Sequence, residues 1–189
     1  MNIRGIGSIG LILAASVLWA QGKGAYAPAQ AAADVLRQVS GADGAFINAG
    51  ILKPSFNSED LSTLMLYPTD EILVLRLKGS EIRQAFERSL SLYPQENTSF
   101  LQVSGFEIEF SAAGDPGKRI LNVKASGTDL DENRYYQVAM PAALGRGGSG
   151  YFKLWDKTKI VATVPNQTVE SALKGKRAAD SKPRWVSHS

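Results

Sequence analysis

Apolar positions recur along this chain with two different periods, and each period predicts a different kind of element. Residues 71–77 (EILVLRL) form an apolar run that Lys78-Gly79 closes, which predicts a buried strand. The next apolar residues recur at helical spacing and predict a helix capped by Ser80 that runs to about Leu92. Further along, residues 106–110 (FEIEF) alternate strictly, which predicts a strand with one buried and one wet face.

The remaining pattern adds shorter elements of both kinds. Helices are predicted over residues 29–40 and 168–173, with another short helix starting at Ser58. Strands are predicted over residues 45–47, 100–103, 120–125, 135–140 and 160–164. Because helices and strands follow one another irregularly, the predicted fold class is α+β: a single domain with helices packed on one mixed or mostly antiparallel sheet.

The first 27 residues have the layout of an export signal. Arg4 supplies a positive charge, residues 6–20 are apolar and uncharged, and Ala25-Tyr26-Ala27 offers a cleavage motif. The apolar run is short for a membrane span, which needs about 20 residues. We therefore expect an exported protein, periplasmic or extracellular, without a stable membrane span after cleavage. Cleavage after Ala29, or retention of the segment as an anchor, are the alternatives that the sequence leaves open.

The rest of the chain has the length of one domain, predicted over residues 28–173. From residue 174 the sequence becomes basic and loses any apolar period, so residues 174–189 are predicted to be a mobile tail. The chain carries 21 basic and 18 acidic residues. Arg4 and Lys23 lie in the predicted signal, which leaves 19 basic against 18 acidic residues, a net charge of +1. A chain with this charge balance lacks the excess of basic residues that is typical of nucleic-acid-binding proteins, so no nucleic-acid partner is expected.

Composition and spacing argue against several kinds of active site. Without cysteine there is no disulfide, no cysteine zinc site and no thiol nucleophile. The single histidine, His188, stands at the end of the chain, so neither a Ser-His-Asp triad nor a histidine-rich metal centre is expected. Residues 145–150 (GRGGSG) match a dinucleotide-binding pattern in letters, but no βαβ unit surrounds them. Glu107 and Glu109 share one strand face, which is typical of a solvated surface rather than of an acid–base pair.

Several strings in register carry a resemblance to a known family. They are residues 41–50 (GADGAFINAG), 75–82 (LRLKGSEI), 85–89 (AFERS), 100–105 (FLQVSG) and 147–151 (GGSGY). In this order and spacing, and over roughly residues 31–155, the chain resembles the C-terminal domain of the 5′-nucleotidase family. That family includes exported 5′-nucleotidases, UDP-sugar hydrolases and cyclic-nucleotide phosphodiesterases.

The resemblance implies a division of labour between two domains. In the family, a metallophosphoesterase domain comes first and holds two metal ions, and the C-terminal domain binds the nucleoside end of the substrate. This sequence shows no counterpart of the first domain. The resemblance therefore implies neither a catalytic residue nor a metal or other cofactor in this chain.

The substrate-binding residues that the resemblance implies lie in four segments. They are Asn48, Lys53, Tyr67, Arg146, Gly147, Gly148 and Ser149. Asn48 and the glycines match the family, whereas Lys53 stands where the family has arginine and Ser149 where it has aspartate. Arg146 is added as a possible phosphate contact.

The two phenylalanines that stack the base in the family have no counterpart here. Their positions hold Pro68 or Thr69, and Ala143, and Tyr67 is the nearest aromatic residue to the first of them. Stacking contributes on the order of 1–3 kcal/mol per base. Tyr67, Tyr151 or Phe152 would have to replace one face of the stack.

Three functions fit this sequence. The first is an exported module, linked to nucleotide catabolism, that binds a nucleotide, a sugar-nucleotide or a related small molecule. The second is the specificity subunit of a split nucleotide hydrolase, whose metallophosphoesterase is a separate chain. The third is a structural or interaction protein whose pocket has decayed. Whether the chain is an enzyme stays uncertain at this point, and hydrolysis by this chain alone is not expected.

Overall fold

Nine strands in residues 22–178 and 182–189, the part of the chain that this computed structural model describes, form two sheets. The strands are β1 (Gly44–Asn48), β2 (Glu71–Lys78), β3 (Leu101–Ser104), β4 (Phe106–Ser111), β5 (Ile120–Ala125), β6 (Thr128–Asp129), β7 (Tyr135–Pro141), β8 (Ile160–Thr168) and β9 (Trp185–His188). The helices are α1 (Ala27–Ser40), α2 (Gly79–Ser89), α3 (Ala142–Gly145) and α4 (Val169–Leu173). Short 3₁₀ helices cover Ala49–Ile51, Leu61–Leu64, Gly148–Lys153 and Lys157–Lys159.

The larger sheet has five strands in the order β3-β1-β7-β2-β8. Strands β1 and β7 run parallel, and the other neighbours are antiparallel. Successive residues of β2 point to opposite faces: Leu73 and Leu75 join one apolar core, while Ile72 and Val74 join the other. Because both faces are covered, β2 is apolar throughout its middle, which is the run that the sequence analysis identified.

The two cores are closed by different elements. Helix α1 packs with α4 on one face of the five-stranded sheet, where Leu36 and Leu173 are fully buried. On the other face lie α2 and the second sheet, of order β6-β5-β4-β9. In β4, Phe106, Ile108 and Phe110 are buried while Glu107 is exposed, which confirms the predicted alternation.

The fold class is α+β, as predicted. The sequence pattern indicated a single sheet, whereas the structure has two. The reason is that strand alternation shows which side of a strand is buried but not which strands share a ladder.

Helix α2 begins and ends differently from the prediction. The Glu81 carboxylate, rather than Ser80, caps it by accepting the Lys78 N–H at 2.8 Å. The helix ends at Ser89, three residues before Leu92, because the Asn97 amide donates to the carbonyls of Arg88 and Ser89. These two bonds satisfy carbonyls that another helical turn would otherwise use.

The described part of the predicted mobile tail is packed against the domain. Strand β9 pairs in parallel with β4, and Trp185 is 5% exposed among core aromatic rings. Arg184 holds both oxygens of the Asp34 carboxylate at 2.8 and 2.6 Å. One tryptophan and one arginine make no period, so the hydrophobic pattern predicts no strand here.

The predicted export signal lies mostly outside the described residues, since the structure starts at Gly22. Its last residues belong to the folded domain: Tyr26 is 6% exposed and its carbonyl accepts the first helical N–H groups of α1. No helix within 22–178 and 182–189 is long and apolar enough to cross a membrane.

The loops that contain the substrate-binding residues implied by the resemblance lie at one end of the five-stranded sheet. Strands β1 and β7 finish there, and the antiparallel strands β2 and β3 start there. The loops that follow β1 and β7 and precede β2 and β3 therefore meet in space. We call this the site end of the sheet.

Candidate functional site

A glycine-rich loop at the site end, residues 147–150, holds one non-glycine residue, Ser149, in a left-handed conformation. Ser149 has φ of 53° and Gly150 φ of 77°, and Gly147, which precedes them, has φ of 91°. Such backbone angles cost an L-residue roughly 1–2 kcal/mol unless its surroundings fix them. Ser149 is nevertheless exposed, so its conformation is not imposed by burial of its side chain.

Three side chains fix the glycine loop through Ser149. The Asn48 amide donates to Ser149 Oγ at 2.8 Å. Arg88 Nη2 and Ser99 Oγ both donate to the Ser149 carbonyl, at 2.9 and 2.8 Å. The donors come from the end of β1, from α2 and from the segment before β3, so distant parts of the fold set this loop.

Asn48 is 1% exposed and also donates to the Thr98 carbonyl at 3.4 Å. Its Oδ1 is buried and accepts no hydrogen bond from any residue in the described ranges. The side chain that the resemblance implies for ligand binding therefore lies beneath the loop, where it supports Ser149.

Tyr151 anchors the far side of the loop. It is fully buried, stacks on Trp155 at 4.6 Å between ring centroids, and donates its hydroxyl to the Ser99 carbonyl at 2.6 Å. Burial raises the pKa of the Tyr151 phenol, which therefore remains a neutral donor at physiological pH. The Arg88 guanidinium lies over the same ring, 5.2 Å from its centroid.

The segment before β2 lies beside the start of α3. The Asp70 carboxylate accepts the Ala143 N–H at 3.0 Å, and Tyr67 starts the turn that leads to Asp70. The resemblance implies Pro68 or Thr69, and Ala143, at the positions of the two family phenylalanines; Pro68 is half-buried, and Thr69 and Ala143 are exposed. The structure thus brings these two positions together, but neither carries an aromatic ring.

Aromatic side chains do stand nearby. Tyr67 is 55% exposed in the segment before β2, and Phe152 is 65% exposed directly after the glycine loop. The Phe152 N–H donates to the Gly147 carbonyl at 3.0 Å, which fixes its backbone against the loop.

Arg146 and Lys53 lie at the margins of this site. The Arg146 guanidinium pairs with Glu71 at 2.9 Å, and both side chains are more than half exposed, so the pair is weak and can exchange partners. Lys53 is half-buried, and its backbone N–H donates to the Leu64 carbonyl at 2.8 Å, beside the 3₁₀ helix Leu61–Leu64.

Sequence reasoning missed Arg88, Ser99 and the role of Tyr151. Arg88 and Ser99 act across 61 and 50 residues of sequence, and neither belongs to a motif that marks such a contact. Arg88 stands in the last turn of an amphipathic helix and in the string 85–89 that carries the resemblance, but neither pattern places its side chain against Ser149.

Other potentially chemical features lie elsewhere. A cavity of about 230 Å³ borders Arg37, Gly105 and Arg184 at the opposite end of the sheet. His188 lies on β9, where it faces Glu109 at 3.1 Å. Within residues 22–178 and 182–189, no group of three or more His, Cys, Asp or Glu side chains is placed to hold a metal ion.

The fold and the glycine loop define an α+β domain with a preorganised loop at one end of a mixed sheet. The model of the 5′-nucleotidase C-terminal domain family matches residues 17–155, and the chain belongs to that family. The predicted resemblance is thereby confirmed.

Curated relatives agree over part of their length. A snake venom 5′-nucleotidase from Naja atra is 35% identical over 89 residues, which are 43% of this chain and 17% of that protein. A 5′-nucleotidase-related protein from Glossina morsitans morsitans is 28% identical over 139 residues, 67% of this chain and 24% of that protein. The chain therefore spans less than a quarter of either relative.

Solved structures share the fold. The structure of a 5′-nucleotidase precursor from Thermus thermophilus superimposes with a TM-score of 0.72 at 20% identity, over 90% of this chain and 37% of that chain. An NAD nucleotidase from Haemophilus influenzae gives a TM-score of 0.63 at 14% identity, over 89% of this chain and 37% of that chain.

Proposed function

We propose that this chain is an exported binding module that holds a nucleotide or a related small molecule at the site end of the sheet. The observation that carries the proposal is the exposed, left-handed Ser149, fixed by Asn48, Arg88 and Ser99. Strained backbone that the surrounding fold maintains is concentrated at ligand sites, because a fixed loop loses little entropy on binding.

Membership of the family supports a nucleotide-related ligand. Tyr67 and Phe152 offer exposed flat rings on which a base could stack, in place of the two missing phenylalanines. Arg146 could exchange Glu71 for a phosphate, since an exposed ion pair contributes at most about 1 kcal/mol.

The proposal assigns binding, not hydrolysis, to this chain. The only histidine lies on β9, in the second sheet, whereas the glycine loop follows β7 of the five-stranded sheet. The proposed ligand therefore meets hydroxyl, aromatic and guanidinium groups, while the nearby Asp70 and Glu71 carboxylates are occupied by the Ala143 N–H and by Arg146. We assign these groups to binding and orienting a nucleotide.

A thermal-shift titration of residues 22–189 with nucleosides, nucleotides and sugar-nucleotides tests the proposal. A ligand at 100 times its Kd adds about 2.7 kcal/mol of stability, which raises Tm by several degrees. A flat response across the panel would contradict nucleotide binding and would favour the structural or interaction role.

The contribution of the aromatic rings is tested by a matched pair of tyrosines. Tyr67→Ala should weaken binding of the best ligand by at least about fivefold, as expected for one stacked base. Tyr135→Ala is the control, because Tyr135 is 49% exposed but lies at the start of β7, at the other end of the sheet. Isothermal titration of both variants gives the two Kd values, and equal values would rule out a role for Tyr67.

Exposed apolar side chains favour a second candidate function, the specificity subunit of a split hydrolase. Leu66 is 44% exposed beside Tyr67, and with Phe152 these residues give the site end an apolar rim that a separate metallophosphoesterase chain could cover. Addition of this chain to such a partner should change the partner's KM for nucleotides. An unchanged KM and unchanged substrate preference would contradict this function.

A further inference from the structure

Residues 22–27, which the sequence assigns to the end of a cleaved leader, are bound to the folded domain. The Gly22 carbonyl accepts the Asn97 N–H at 2.9 Å. The Gly24 carbonyl accepts Gln102 Nε2 at 2.8 Å, and the Tyr26 N–H donates to Gln102 Oε1 at 3.0 Å. Both ends of one side-chain amide are thus occupied by this segment.

Gln102 makes these contacts from the middle of the molecule. It lies on β3 and is 0% exposed. A buried amide that loses its partners costs free energy, because it has already lost its hydration. A chain that began at Pro28 would remove both of these partners from Gln102 at once.

The same segment starts helix α1. Tyr26 is its N-cap residue, and the Tyr26 carbonyl accepts the N–H groups of Ala29 and Gln30 at 3.1 and 3.0 Å. The Ala27–Pro28 bond therefore lies inside the first helical turn. Cleavage there would also remove Tyr26, a 6% exposed side chain, from the core around Leu36.

We infer that the leader is removed by hydrolysis of a bond before Gly22, and that residues 22–27 remain as part of the mature domain. The inference rests on the proposed export and on the contacts of Gly22, Gly24 and Tyr26. Water adds its hydroxyl to the carbonyl carbon of the bond that is cut and its proton to the nitrogen, so the mature chain starts with a free amine at or before Gly22.

The position of the cut is tested in a cell that exports the full chain. Intact mass and N-terminal sequencing of the exported protein should give a first residue that is later than Met1 and no later than Gly22. Ala27→Phe should leave that first residue unchanged and shift the mass only by its own substitution. A first residue at Pro28, a retained Met1, or a block caused by Ala27→Phe would each overturn the inference.

The structural half of the inference is tested without export. Residues 28–189 should melt about 5 °C or more below residues 22–189. Gln102→Leu should lower Tm more in residues 22–189 than in residues 28–189, because only the longer chain offers Gln102 the partners at Gly24 and Tyr26. Equal Tm values for the two chains, or equal effects of Gln102→Leu, would show that the segment is not part of the domain. These readouts need no ligand, so they stand whether or not the module binds nucleotides.

Discussion

Ser149 shows how a few side chains can maintain an unfavourable backbone. Its left-handed conformation costs roughly 1–2 kcal/mol, and each of the three hydrogen bonds from Asn48, Arg88 and Ser99 returns about 0.5–1.5 kcal/mol. The bonds therefore offset the strain, and the loop is fixed before any ligand arrives.

Gly148 is the position of this loop where an added side chain would come closest to other backbone atoms. A Cβ there would overlap the backbone carbonyl of Ala143, which α3 holds in place. Gly148→Ala should lower the free energy of unfolding by about 1–3 kcal/mol and displace the loop. Gly24→Ala is the matched control, because nothing lies within 4 Å of the Cβ position of Gly24. Equal unfolding free energies in urea for the two variants would contradict this account of the loop.

The buried phenol of Tyr151 should make the stability of the folded domain fall at alkaline pH. Burial raises the pKa of its phenol above the ordinary value near 10, so the folded state favours the neutral form. Its stabilising contribution is complete below pH 10 and is lost as the pH rises above 10 toward the folded pKa. Tyr151→Phe cannot ionise, so the stability gap between wild type and variant should shrink in thermal melts above pH 10. A gap that stayed constant to pH 11.5 would contradict the assignment.

Among the elements, the four-residue strand β9 contributes a large side chain to the hydrophobic core. Trp185 lies against Phe86, Phe100 and Phe110, and its indole N–H donates to the Leu101 carbonyl at 2.9 Å. The strand therefore carries a core side chain into place from a segment that is otherwise polar.

Replacing that side chain should cost much of the domain's stability. Trp185→Ala should lower the free energy of unfolding by about 3–5 kcal/mol, because it leaves a large cavity among the rings. Val186→Ala, at the next and 41% exposed position, should change it by less than about 0.5 kcal/mol. Urea unfolding measures both, and a small effect of Trp185→Ala would mean that β9 is not docked in solution.

How much of each element could be predicted depended on the length of its pattern. Strand β2 was visible as an apolar run within its eight residues, and helix α2 as a helical period within its eleven. Strand β6 has two residues and β9 a single core side chain, so no period exists to detect. At the site, the glycines predicted the loop. The contacts of Arg88 and Ser99 with Ser149 are tertiary, and no local sequence pattern encodes them.

At the scale of the whole molecule, segments at both ends of the described chain form hydrogen bonds with β3. From one end, Gly24 and Tyr26 bind the Gln102 side chain. From the other, Arg184 and Trp185 donate to the carbonyls of Val103 and Leu101. Strand β3 is an outer strand of the five-stranded sheet, and unpaired outer strands tend to recruit other chains. The C-terminal end thus occupies backbone carbonyls of β3 that could otherwise pair between molecules, while the N-terminal segment satisfies the buried amide of Gln102.

The attachment of Gly22 to Asn97 also sets the orientation of the molecule with respect to anything joined before it. Asn97 stands two residues before Ser99, which holds the glycine loop. A fusion partner, resin or lipid tether linked ahead of Gly22 would therefore crowd the mouth of the candidate site. Linking the domain through the residues ahead of Gly22 would thus place a support beside the loop that a ligand has to reach.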